Sequence, residues 1–158
     1  ASLGEVCALI SALARVPLKQ CYAITGSINQ FGEVQAVGGI NEKIEGFFKL
    51  CQERGLSGEQ GVIIPRVNRP NLLLSDKVLA AVENGSFHIF AVECVEQALA
   101  LLTGENPGLA DEQGGFPAGS INARVVMRLK SIAEQGGDKS RSEEGESPEE
   151  AQQEDRPS

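Results

Sequence analysis

Apolar residues recur along the chain with two different periods, and the change from one to the other marks out the elements. Leu3, Val6, Cys7, Leu9, Ile10 and Leu13 follow helical spacing and predict a mostly buried helix over residues 2–14. Ser2 followed by Glu5 has the form of a capping box, and Pro17 closes the segment. Residues 20–37 read as a hairpin, with one strand over Cys21–Ile28, turn residues from Asn29 to Gly32, and a second strand over Glu33–Val37. Gly38-Gly39 breaks the second strand. A helix is then predicted from Ile40 to Arg54, ended by Gly55, with Ile40, Ile44, Phe47, Phe48 and Cys51 on one stripe.

The second half continues the alternation. Gly61–Pro65 predicts a buried strand, and Asn68–Leu74 a loop or short helical turn. Asp76–Glu83 predicts a helix capped by Ser75 or Asp76, followed by a strand over Phe87–Val92 and a helix over Val95–Leu102. After a loop from Thr103 to Gly119, Ser120–Glu134 predicts an amphipathic helix with Ile121, Val125, Val126, Leu129 and Ile132 on its inner face. The order gives an α+β domain of mixed α/β character over residues 1–134, its helices packed on small mixed sheets. Residues 135–158 hold no Leu, Ile, Val, Phe or Met, and eight acids against three bases. Such a segment cannot bury enough apolar surface to offset its ordering entropy, which predicts an acidic disordered C-terminal tail.

Charge and composition narrow the partners. The formal net charge of -8 argues against a nucleic-acid backbone as partner. No apolar run among the given residues is long enough to span a membrane, and none of them is expected to act as a signal peptide. The chain opens on Ala1 with apolar residues directly after it, which predicts a piece of a longer polypeptide. Cys7, Cys21, Cys51 and Cys94 are widely spaced and the one histidine, His88, lies in a strand-like run. That pattern argues against a metal site and predicts buried reduced thiols in a cytoplasmic protein. There is no P-loop, no G-x-S-x-G and no H-E-x-x-H, and a lone His88 makes a Ser-His-Asp triad a poor reading.

Lys43 is the residue out of place. A cation suits the last turn of a helix, yet Lys43 sits in the first turn of the predicted helix, on the border of its apolar stripe. Partial burial, the positive end of the dipole and nearby hydroxyls would all favour a neutral amine, which can act as a general base toward a serine hydroxyl. From the helix alone, a solvated lysine paired with a glutamate is the commoner reading. Thr25, at the end of a strand, and Gly38 and Gly39, at a strand-to-helix turn, carry ordinary structural readings as well.

The segments ASLGEVCALISALARVPLKQ, YAITGSINQFGEVQAVGGINEKIEGFFKLCQERGL and GVIIP change that balance. Together they closely resemble the proteolytic domain of Lon proteases, nearest the Lon-B-type and Lon-like bacterial homologues, over residues 1–103. The resemblance implies a Ser-Lys dyad peptidase fold and activity. It assigns the base to Lys43, a supporting hydrogen bond to Thr25, and close backbone approach to Gly38 and Gly39. Ala1 and Ser2 match the two residues that follow the family nucleophile, which implies that the serine precedes Ala1 and that the isolated fragment is inactive. Ser2 keeps its reading as a helix cap. The resemblance further implies unfolded or damaged proteins as substrates and a hexameric ring. No cofactor is expected in this domain, with ATP and magnesium at a separate ATPase module outside the chain. A non-catalytic ring-assembly domain and a small-molecule or phosphate-binding α/β domain are the alternatives.

Overall fold

The computed structural model describes residues 2–143, with side chains through residue 136. In chain order the elements are α1 (Ser2–Ala14), β1 (Tyr22–Ile24), β2 (Ser27–Ile28), β3 (Val34–Gln35), α2 (Ile40–Arg54) and β4 (Gly61–Pro65). A 3-10 helix over Arg66–Asn71, α3 (Asp76–Glu83), β5 (His88–Val92), α4 (Val95–Thr103) and α5 (Ile121–Glu143) follow.

β4 is the centre of the domain. It lies between β1 and β5 in a three-stranded parallel sheet, and all five of its residues are buried. A strand buried on both faces needs apolar residues at every position, which is why GVIIP shows no alternation. Ile63 points into one core, with Leu3 and Cys7 of α1, Ala98, Leu99 and Leu102 of α4, and Ile121 of α5. Val62 and Ile64 point into the other, with Ile40, Ile44, Phe48 and Cys51 of α2, Val78 and Ala81 of α3, and Phe87. Helices therefore cover both faces of the sheet, and β2 with β3 forms a separate antiparallel pair.

The predicted hairpin is corrected by this topology. Cys21–Ile28 is not one strand. β1 pairs in parallel with β4, Tyr22 opposite Gly61 and Ile24 opposite Ile63, and only β2 turns back on β3. The break falls at Thr25-Gly26, where the chain leaves one sheet for the other. Gly26 allows the close passage: a Cβ there would meet the Leu3 Cδ2 at 2.8 Å.

Three further expectations are corrected. α5 runs to Glu143, nine residues past Glu134, so the boundary at 134/135 falls inside a helix. Extending a formed helix adds one hydrogen bond for each residue fixed, which continues the helix beyond its last apolar residue. The rest of the predicted tail, residues 144–158, lies outside the described residues. The inner face of α5 is also only partly inward, because Leu129 and Ile132 are exposed while Ile121 is buried. At α3, Ser75 occupies the cap position without a side-chain cap bond, its hydroxyl being taken by Glu45.

All four cysteines are free, with Cys7 and Cys51 buried and Cys21 and Cys94 half-buried. Burial pushes the Cys7 thiol up to about 11. A thiol with a raised folded value keeps its proton in the native state after the unfolded chain has lost it. Its contribution is full below the unfolded value and is lost as pH rises toward the folded one. Folding stability is expected to fall between about pH 9 and 11 by up to roughly 2–3 kcal/mol more in the wild type than in Cys7→Ala. Urea denaturation at pH 8 and 10.5 measures it; identical losses in both proteins would contradict the assignment.

Candidate active site

Thr25 follows the C-terminal end of β1. Its N–H donates to the Ile63 carbonyl at 3.0 Å, so the β1–β4 ladder carries on through it, and its side chain is buried. Lys43 lies in the first turn of α2, and its Nζ donates to the Thr25 Oγ1 at 3.3 Å. The two residues are 18 apart in sequence and come together because α2 packs on the face of β4 beside β1. Lys43 as a whole is solvent-exposed, more so than its border position predicts, while its amine end is held against Thr25 in a part-buried hydrogen bond.

The start of α1 reaches the same corner. The Leu3 N–H donates to the Gly26 carbonyl at 3.2 Å, and the Ile28 N–H donates to the Ser2 Oγ at 3.1 Å. Ser2 thus ties the N-terminus of α1 to β2. Its hydroxyl oxygen accepts from the backbone of β2 and not from α1, which corrects the helix-cap role predicted for Ser2. The first turn of α1, the Thr25–Ile28 segment and the Lys43 amine meet at the C-terminal end of β1, where ligands of parallel sheets are commonly bound.

The glycine pair separates into two roles. Gly39 adopts φ +65° at the entry to α2, a left-handed conformation in which a side chain is strained. Its carbonyl accepts the Lys43 N–H at 3.1 Å. Gly38 has open space around it, so nothing nearby excludes a side chain. His88 stands apart. It pairs with Gly61 at the N-terminal end of the parallel sheet, and its Nε2 lies 2.7 Å from the Gly58 carbonyl.

Asn68 was not singled out from the sequence. It is a buried polar side chain whose Oδ1 accepts the Val37 N–H at 3.0 Å and whose Nδ2 donates to the Val37 carbonyl at 2.9 Å. Within a polar 3-10 segment it looks like any turn asparagine. Its partner lies 31 residues earlier, beyond the reach of any local pattern.

The model of the Lon protease (S16) C-terminal proteolytic domain matches residues 1–103. The chain belongs to the Lon proteolytic-domain family. It is similar to a Lon protease homologue of Haemophilus influenzae, 58% identical over 136 residues, covering 85% of this chain and 22% of that protein. A Lon protease homologue of Escherichia coli is 60% identical over 102 residues, covering 65% and 17%. The archaeal Lon protease of Thermococcus kodakarensis is 34% identical over 107 residues, covering 68% and 15%. The chain therefore spans about a fifth of the length of these curated relatives. In this Lon-type domain the corner formed by Thr25, Lys43 and the start of α1 is the candidate protease site. Among the described residues, no helix is long and apolar enough to cross a membrane.

Proposed function

We propose that this Lon-type domain hydrolyses peptide bonds with a Ser-Lys dyad in which Lys43 is the base. The observation that carries the reading is the Lys43–Thr25 hydrogen bond beside the first turn of α1. A catalytic lysine needs a partner that tolerates its neutral amine and fixes its direction, and a buried threonine hydroxyl does both.

The serine immediately before Ala1 is the nucleophile in this reading. Its Oγ attacks the scissile carbonyl carbon while the Lys43 Nζ takes its proton. Backbone N–H groups at the start of α1, other than that of Leu3 which the Gly26 carbonyl takes, face the developing oxyanion, a contribution of roughly 3–4 kcal/mol for each well-placed donor. Collapse of the tetrahedral intermediate breaks the C–N bond, and Lys43 returns the proton to the leaving amine. Water then hydrolyses the acyl-serine by the same proton path. An extended substrate strand can pair along the Thr25–Asn29 segment through its backbone, which selects little sequence.

Unfolded or damaged proteins are the proposed substrates. A homo-oligomeric, hexameric assembly in the cytoplasm and ATP with magnesium at a separate ATPase module complete the proposal. The domain on its own, without the serine, would be inactive. The test is degradation of an unstructured protein such as casein by the full-length polypeptide that carries this chain. ATP-stimulated cleavage that disappears when the serine before Ala1 is replaced by alanine is expected. Cleavage at the wild-type rate in that variant would overturn the dyad.

A further inference from the structure

We infer that Asn68 is a positioning residue for the candidate base, acting on the strand-to-helix turn that carries Lys43. This rests on the dyad reading of Lys43 and adds to it the device that holds the lysine in place.

Along a helix, Ile40, Ile44, Phe48 and Cys51 form the buried stripe, and residues on either side of it lie on its flanks. Lys43 is on one flank, facing Thr25. Asn41 and Glu45, one turn apart, are on the other. The Asn41 Oδ1 accepts the Leu73 N–H at 2.9 Å and its Nδ2 donates to the Asn71 carbonyl at 3.2 Å. The Glu45 carboxylate accepts the Ser75 N–H at 2.7 Å and the Ser75 hydroxyl at 3.0 Å. The segment that follows β4 thus grips the flank of α2 opposite Lys43. A helix held only by its apolar stripe can roll; one gripped on one flank cannot turn the other away from Thr25.

Asn68 completes this grip at the point that decides the height of the lysine. Its amide occupies both backbone groups of Val37, one as acceptor and one as donor, in the manner of a neighbouring strand. Val37 directly precedes Gly38-Gly39, and Gly39 accepts the first helical bond from Lys43. Two residues of chain therefore separate the Asn68 clamp from the entry of α2. Asn68 in turn begins three residues after Pro65, the last residue of the central strand, so the clamp refers the helix entry to the most buried element of the fold. The amide is matched to this task. Aspartate would keep the acceptor but set a carboxylate oxygen against the Val37 carbonyl, and alanine would leave both Val37 groups unpaired.

The test is steady-state hydrolysis of casein by the full-length polypeptide, comparing wild type, Asn68→Ala, Asn68→Asp, Lys43→Ala and Val125→Ala. Val125 packs on the opposite core and serves as a control for destabilisation alone. Asn68→Ala and Asn68→Asp are expected to lower kcat by about 10- to 100-fold, the cost of an ångström-scale misplacement of a catalytic group. KM is expected to stay within about two-fold in both, since no substrate contact is removed. Val125→Ala is expected to lower the melting temperature and leave kcat unchanged. If Lys43→Ala retains activity, the dyad reading fails. If Lys43→Ala is inactive while either folded Asn68 variant keeps wild-type kcat, the inference fails and the dyad stands. A kcat loss in the Asn68 variants that merely follows the unfolded fraction also overturns it, and the isosteric aspartate variant keeps the test open should the alanine variant not fold.

Discussion

Lys43→Ala in the full-length polypeptide is expected to reduce kcat for peptide hydrolysis by at least about 10³-fold, with KM little changed. A positioned general acid–base group is worth roughly 10²–10⁴, and groups that act as a unit lose nearly everything when one is removed. Lys43→Arg is expected to be just as damaged. A guanidinium keeps the charge and the reach but stays protonated, so it can hydrogen-bond Thr25 and still take no proton from serine. The pair of variants separates a chemical role from an electrostatic one. A lysine that only attracted substrate or paired with a neighbour would be largely rescued by arginine.

The largest stability effect is expected at Phe87. Its ring is fully buried just before β5, 5.2 Å from the Phe48 ring at 78° and 6.3 Å from the Phe47 ring. Both of those partners lie on α2. Phe87→Ala removes the side chain that seats the lysine-bearing helix on the sheet, and truncation of a buried phenylalanine costs about 3–5 kcal/mol. Domains have a total stability of roughly 5–15 kcal/mol, so this is a large share. For a chain of this size the expected fall in melting temperature is about 10 °C, readable by calorimetry. A fall of only one or two degrees would mean that α2 is held chiefly by other contacts.

The elements of the fold differ in how far they can be read from the residues. α2 was legible to its first and last residue, because a 3.6-residue stripe, a glycine pair before it and Gly55 after it all agree. β4 was legible for the opposite reason, a short unbroken apolar run between turn signals. The hairpin was not, because Cys21–Ile28 is apolar enough to pass for one strand, and nothing local says that its first half pairs in parallel with residues some 40 positions later. Pairing partners are a property of the whole fold. Period alone gives the strand and not its neighbour.

The candidate site shows the same limit more sharply. Lys43 was conspicuous as a cation at the wrong end of a helix, but only the resemblance linked it to Thr25. The contact depends on how α2 packs on the sheet. Of the two glycines joined to them, only Gly39 has a left-handed backbone conformation, in which a side chain is strained. Asn68 left no signal at all, since a turn asparagine with its bonds satisfied by nearby backbone would look the same in sequence. The end of α5 leaves no apolar signal, because a formed helix extends past its last apolar residue without a stripe to mark it.

The most direct test of the dyad is to find the residue that reacts. The full-length polypeptide is treated with a serine-directed fluorophosphonate, and the adduct is located by mass spectrometry of its peptides, in wild type and in Lys43→Ala. The expected result is one adduct on the residue immediately before Ala1, the proposed serine nucleophile, forming in the wild type and strongly slowed when Lys43 is replaced. An adduct on Ser2, or labelling of the upstream serine at the same rate without Lys43, would contradict the assignment of Lys43 as its base.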